Sequence, residues 1–193
     1  MKKLVFATNN KHKLEEVRQM LPQFDIVGLE AIGCTEDIPE TADTFSGNAA
    51  LKADYITQKY GLDCFADDSG LQVEALNNEP GIYSARYAGE PVNHDKNIDM
   101  LLVNLKGVTN RKARFVTVIA LNLNGEKHYF EGVVNGEIID HRQGKGGFGY
   151  DPVFRPDGYD ITFAEMTMED KSAISHRGRA VKQLIQFLKA NTE

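Results

Sequence analysis

Tryptophan is absent and cysteine occurs only twice, at Cys34 and Cys64, in a chain of 193 residues. The two do not form a CxxC pair, so neither a zinc knuckle nor a dithiol redox motif is supported. Two thiols also make a poor secreted framework, so both are expected to be reduced in a cytoplasm. Long apolar runs are missing as well. Residues 4–7 follow Lys2 and Lys3 in the manner of a leader, but the run stops at Thr8-Asn9-Asn10, short of a signal peptide core. Nothing else is long enough to span a membrane. Basic residues are not in excess: 22 Lys and Arg against 28 Asp and Glu give a net charge of −6. That balance excludes a dedicated duplex-binding surface, though not a local basic pocket, and no nucleic-acid partner is expected. Repeats and low-complexity segments are also lacking. The chain reads as one ordinary soluble domain over residues 1–193, able to bury roughly 70% of its unfolded surface.

Several catalytic signatures are missing too. There is no GxxxxGK[ST], no HExxH and no GxSxG, and the five histidines are scattered. Gly144-Lys145-Gly146-Gly147-Phe148-Gly149 satisfies GxGxxG, but Tyr150-Asp151-Pro152 follows where a dinucleotide site needs a helix, so the Rossmann reading is rejected. Such a loop still lets backbone approach a flat ligand, with Phe148 available to stack on it; the alternative is a flexible turn with one buried ring.

What is present is an α/β pattern. Residues 4–7 read as a buried strand, Thr8-Asn9-Asn10 breaks it, and Leu14, Val17 and Leu21 mark one face of a helix closed by Pro22. Lys11, His12 and Lys13 crowd the start of that helix, where the dipole favours acids; a bound anion would resolve the conflict, and a solvated surface is the alternative. A short strand (25–29) and an acidic loop containing Glu36, Asp37 and Glu40 come next, and most acidic loops are simply solvated. Thr44 then caps a helix with Phe45, Ala49, Ala53, Ile56 and Tyr60 on its apolar stripe, ending at Gly61. Lys52 lies off the stripe, as surface or as an arm into a site.

Cys64-Phe65-Ala66-Asp67-Asp68-Ser69-Gly70 is an apolar strand running into two carboxylates, with ligands expected at its carboxyl end. Adjacent strand residues face opposite ways, so both acids reach one site only if the strand bends at Ser69-Gly70; one of them is expected to be the principal catalytic group. Asn93 caps a further helix, and Asn124-Gly125 marks a type I′ hairpin between residues 113–122 and 128–134. Asn135-Gly136 is expected to make a second tight turn. A last helix from about residue 175 to 190 opens with His176, Arg177 and Arg179. Basic groups at two helix starts, carboxylates on a strand and a glycine-aromatic loop suit a nucleoside polyphosphate with a divalent metal. Direct attack by water is the simplest chemistry.

The motifs Ala7-Thr8-Asn9-Asn10-Lys11-His12-Lys13-Leu14-Glu15-Glu16, Glu40-Thr41, Thr44-Phe45 through Asn48 to Lys52, Ala66-Asp67-Asp68-Ser69-Gly70-Leu71, Pro80 through Tyr87, Gly146 through Pro152, and Lys171-Ser172 through Gly178 occur in this order along the chain. In this the sequence resembles the Ham1 family of inosine and xanthosine triphosphate pyrophosphatases. The resemblance implies an α/β fold with a long mixed β-sheet, flanking helices and two lobes around a central substrate cleft. It also implies hydrolysis of ITP, dITP or XTP to the monophosphate and pyrophosphate, with Mg²⁺ as cofactor and a homodimer as the assembly. Carried over by position, Thr8, Asn10 and Lys13 are the phosphate grip, within the Thr8-Asn9-Asn10-Lys11-His12-Lys13 segment as a whole, with Lys52 beside it. Glu40 and Asp68 are metal ligands. Asp68 also accepts the proton of the attacking water, Asp67 supports the acidic cluster, and Ser69 touches substrate. Phe148, Gly149, Tyr150, Asp151, Lys171, His176 and Arg177 form the base pocket. Departures are small: Asn9 stands where many relatives have glycine, and Ser46-Gly47 where they often carry acids. Gly47 early in a helix costs up to about 1 kcal/mol relative to alanine. Two other readings of the same residues are a nucleotide sensor without turnover and a metal-dependent phosphatase that releases orthophosphate.

Overall fold

The computed structural model describes residues 2–191; Met1, Thr192 and Glu193 lie outside the described residues. The strands are β1 (Lys2–Phe6), β2 (Phe24–Val27), β3 (Cys64–Val73), β4 (Glu79–Pro80), β5 (Lys112–Leu123), β6 (Glu126–Ile138) and β7 (Phe154–Pro156). The helices are α1 (Lys11–Met20), α2 (Phe45–Tyr60), α3 (His94–Asn104), α4 (Met168–Ile174) and α5 (His176–Asn191). Hydrogen bonding runs in the order β2-β1-β3-β5-β6-β7, with β4 on β3. The sheet is mixed: β1 is parallel to β2 and β3, while β4 and β7 pair antiparallel with β3 and β6. The fold is therefore α/β with a mixed sheet and flanking helices. Contacts divide the chain into two units, residues 2–68, 117–132 and 177–191, and residues 69–116 and 133–176.

In the first unit alternate strand residues supply two cores. Leu4, Phe6, Phe65, Ile119 and Leu121 pack with Val17 and Leu21 of α1 and with Ala180, Val181, Leu184 and Leu188 of α5. Val5, Ala7, Cys64, Ala66 and Ala120 pack with Ala49, Ala53 and Ile56 of α2. This is the strand period of two seen from both faces. The capping expectations for α2 hold: Thr44 accepts from Gly47, and Gly61 closes the helix in the left-handed region. At the start of α1, Asn10 accepts hydrogen bonds from the backbone of His12 and Lys13. In the second unit Leu71, Val73, Ile98, Leu101, Leu105, Phe115, Val134, Ile138, Phe154 and Phe163 form the core, and Asn93 caps α3.

Two expectations need correction. Asn124 and Gly125, with φ of 52° and 82°, make the hairpin turn, but Asn135-Gly136 makes none, because β6 continues through both. Gly136 answers to packing instead: a Cβ there would lie 2.4 Å from the Arg155 carbonyl oxygen and 2.7 Å from the Phe154 ring. Packing also accounts for Gly47 early in α2, since a Cβ there would meet Ala42 at 2.7 Å and the capping Thr44 hydroxyl at 2.9 Å. Finally, β3 neither ends nor breaks at Ser69-Gly70. It runs for ten residues, with Asp67 and Asp68 in mid-strand.

Candidate active site

Within the first unit, β1 separates β2 from β3, so the chain order reverses at its carboxyl end, the place where open parallel sheets bind ligands. The register of β1 on β3 ends at Phe6 opposite Phe65, with one further bond from the Ala7 N–H to the Phe65 carbonyl. Asp67 and Asp68 follow just past the end of β1.

Because β3 stays extended, the two carboxylates keep opposite faces. Asp67 points to the α1 and α5 side: Lys13 Nζ lies 3.2 Å from Oδ1 and Arg177 Nε 3.2 Å from Oδ2. Arg177 is in turn held by Glu16, with Nη1 2.7 Å from Oε2, so that Lys13 and Glu16 of α1 and Arg177 of α5 gather on one face of β3. Asp68 points to the α2 side, where Asn48 Nδ2 donates to Oδ2 at 3.3 Å. Lys52 reaches both the Asp67 carbonyl oxygen, at 2.5 Å, and Glu40 Oε1, at 3.0 Å. The off-stripe lysine is thus an arm, not a surface charge.

The electrostatics of the pair diverge accordingly. Burial would raise the Asp67 carboxyl, but Lys13, Arg177 and Lys52 together outweigh it and hold the group well below the usual carboxylate range. For Asp68, burial is the largest influence; Lys52 opposes it, Glu40 adds to it, and the carboxyl is pushed up to about 6. Burial lowers the Lys13 ammonium, whereas for Lys52 the nearby Asp67, Glu40 and Asp68 overcome the same penalty and raise it.

Of the remaining first-unit candidates, Thr8 Oγ1 accepts the Asn10 N–H at 3.0 Å, which shapes the turn into α1, while Asn9, Lys11 and His12 are exposed. Among the described residues no three His, Cys, Asp or Glu side chains gather into a metal cluster. Glu40 and Asp68 nevertheless fit a hard divalent cation. Both offer carboxylate oxygens, and the like charge of Glu40 is among the causes that raise Asp68, a repulsion that a cation would relieve.

In the second unit, Lys171 and Asp151 are buried and joined, Nζ to Oδ2 at 2.7 Å, and the same oxygen accepts the Phe148 N–H at 3.1 Å. The Lys171 ammonium stands 4.9 Å from the centre of the Phe148 ring. Gly147 and Gly149 adopt φ of 67° and 61°, and a Cβ on Gly147 would fall 2.1 Å from the Asp151 carboxylate. The His176 ring stacks on Phe115 at 4.7 Å, and the Tyr150 hydroxyl donates to the Ser84 carbonyl at 2.6 Å, which makes Tyr150 an internal anchor of its loop. Ser69 is half-buried in β3 beside Asp68. The structure therefore gathers Lys13, Glu40, Lys52, Asp67, Asp68 and Arg177 in the first unit, and Phe148, Asp151 and Lys171 in the second. Sequence reading passed over Glu16 and Asn48. The legible signal for Asn48 was its place one turn before Lys52 on the same helix face.

A profile of the Ham1 family matches residues 4–187. The chain belongs to the Ham1 family. Its sequence is 59% identical to the dITP/XTP pyrophosphatase of Flavobacterium johnsoniae, over 97% of this chain and 98% of that one. It is 58% identical to the dITP/XTP pyrophosphatase of Porphyromonas gingivalis, over 97% and 98%. Among solved structures, the Staphylococcus aureus Ham1 protein superposes with a TM-score of 0.90 at 42% identity, covering 99% of this chain and all of that one. No helix among the described residues is long and apolar enough to cross a membrane.

Proposed function

We propose that this Ham1-family chain hydrolyses non-standard purine nucleoside triphosphates, dITP, ITP and XTP, to the nucleoside monophosphate and pyrophosphate, and so cleanses the nucleotide pool. The observation that carries the reading is the unequal carboxylate pair on β3. One carboxylate is saturated with cations; the other is buried, pushed up to about 6 and faced by a lysine. Its relatives with full-length matches are dITP/XTP pyrophosphatases.

Water attacks the α-phosphorus, the α–β anhydride bond breaks, pyrophosphate leaves, and the proton of the water passes to Asp68. Lys13 and Lys52 offset the charge of the phosphates, Thr8 and Asn10 shape the turn that meets them, and Asp67 fixes Lys13. Such transfers depend mainly on positioning and charge neutralisation. Glu40 and Asp68 would hold Mg²⁺, which would supply further neutralisation of the phosphate oxygens.

The base is assigned to Phe148, Lys171 and His176. Phe148 stacks on any purine, while donors facing C6 favour a keto oxygen and leave the adenine amino group opposed by a donor. Arg177, with two nitrogens on Glu16 and Asp67, is assigned to holding the acidic pair. The same reading takes the protein to be a cytoplasmic homodimer, on the strength of its family. The test is incubation with dITP, ITP, XTP, GTP and ATP plus Mg²⁺. Pyrophosphate release that favours the first three is expected; orthophosphate alone, or binding with no turnover, would overturn the assignment.

A further inference from the structure

We propose that Asn48 is a positioning residue that holds the two metal-binding carboxylates, Glu40 and Asp68, in register; the inference rests on the function proposed above. The segment from Cys34 to Thr44 has no regular hydrogen bonding apart from isolated bends, yet it carries Glu40. What fixes its path is one side of α2. Asn48, Lys52, Tyr55 and Lys59 recur at helical spacing and meet the loop in reverse order: Asn48 Oδ1 accepts the Ala42 N–H at 2.9 Å, Lys52 pairs with Glu40 at 3.0 Å, and Tyr55 donates to Glu36 at 2.8 Å, with Lys59 on the same carboxylate.

These ties are not equivalent. Lys52 and Lys59 grip the loop through carboxylates that a cation or a phosphate can compete for. Asn48 instead grips backbone, two residues from Glu40, and it is 2% exposed. Its amide orientation follows from chemistry, since only Oδ1 can face the Ala42 N–H, which leaves Nδ2 to donate to Asp68 Oδ2 at 3.3 Å. One side chain therefore joins the loop of the first carboxylate to the strand of the second. Aspartate keeps the acceptor but loses the donor, and alanine loses both.

The measurements are Mn²⁺ affinity of the nucleotide-free protein by water proton relaxation, kcat and KM for dITP, and thermal unfolding, for wild type, Asn48→Ala, Asn48→Asp and Thr57→Val. Thr57 lies on the same helix and bonds the Leu62 carbonyl, away from both carboxylates. Loss of outer support to metal ligands costs about 10–100-fold in affinity or activity. Asn48→Ala is expected to lose that much in Mn²⁺ affinity and in kcat with KM little changed. Asn48→Asp, which restores the loop bond, is expected to leave kcat low, and Thr57→Val to lose stability alone. Wild-type Mn²⁺ affinity and kcat in Asn48→Ala, or full kcat in Asn48→Asp, would overturn the proposal; Asn48→Asp decides the matter if Asn48→Ala does not fold. A wild type that releases no pyrophosphate overturns the function instead, and the Mn²⁺ titrations still judge Asn48.

Discussion

Arg177 Nη1 stands 2.7 Å from Glu16 Oε2, with both side chains out of water and 161 positions apart in the chain. The pair links the start of α5 to the middle of α1, and through Arg177 Nε it reaches Asp67 on β3. Removing the cation takes a partner from two buried carboxylates at once, Glu16 and Asp67.

Arg177→Ala should therefore cost about 3–5 kcal/mol of stability, as the loss of one partner from a buried ion pair does. Glu16→Gln, which keeps the shape and one acceptor, should cost less. Urea unfolding of the three proteins checks this; a variant Arg177→Ala as stable as wild type would mean that water reaches the carboxylates.

Much of the scaffold was legible in the sequence because its signals are local. Thr44 and Asn93 announced their helices, Gly61 ended one, and Asn124-Gly125 placed the hairpin, each through backbone chemistry that neighbouring residues decide. Asn135-Gly136 misled because the reason for Gly136 is the carbonyl of Arg155, a contact nineteen positions away that no local pattern contains. The same limit applied to the site. The Asp67-Asp68 pair was conspicuous, and period two said that the acids face apart, but which faces met Lys13 and Arg177 and which met Asn48 depended on how α1, α2 and α5 cover the sheet. Arg177 read as part of the base pocket together with its motif neighbours; its bond to Glu16 needed three dimensions.

Gly147→Ala should damage the base end without unfolding the protein. The new Cβ would fall 2.1 Å from Asp151 Oδ2, at a φ of 67° that alanine tolerates poorly, and Asp151 is what holds Lys171 beside Phe148. Since base contacts act in binding, the expected result is a rise in KM for dITP of about 10-fold or more, corresponding to about 1.4 kcal/mol or more, with a smaller change in kcat. Steady-state kinetics with dITP and ATP would show the gap between the two substrates narrowing; an unchanged gap would place base reading elsewhere.

Neither cysteine should react in the native protein. Cys34 and Cys64 are free and buried, and burial pushes the Cys64 thiol up to about 12, so thiolate is scarce at neutral pH. Labelling with an aromatic disulfide reagent should be negligible until denaturant is added, when two thiols per chain appear. Rapid native labelling would mean that the α2 side of the first-unit core opens.

Asp68→Asn should abolish turnover and stabilise the fold. The Asp68 carboxyl is 6% exposed and rises from an ordinary value near 4 to about 6 on folding. Between those values the folded protein binds more protons at this site than the unfolded chain does. Stability from this group is therefore greatest below about pH 4, falls as pH rises, and reaches its full loss above about pH 6, of order 2 kcal/mol. Asparagine carries no charge to bury and removes that loss. In buffer with EDTA, the substituted protein should unfold at higher urea concentration than wild type at pH 7.5, with the advantage shrinking towards pH 4.5, while pyrophosphate release disappears. Equal stability at pH 7.5 would show that solvent or Lys52 already compensates the Asp68 charge. Near-normal turnover would remove Asp68 from the chemistry, whatever the stability did.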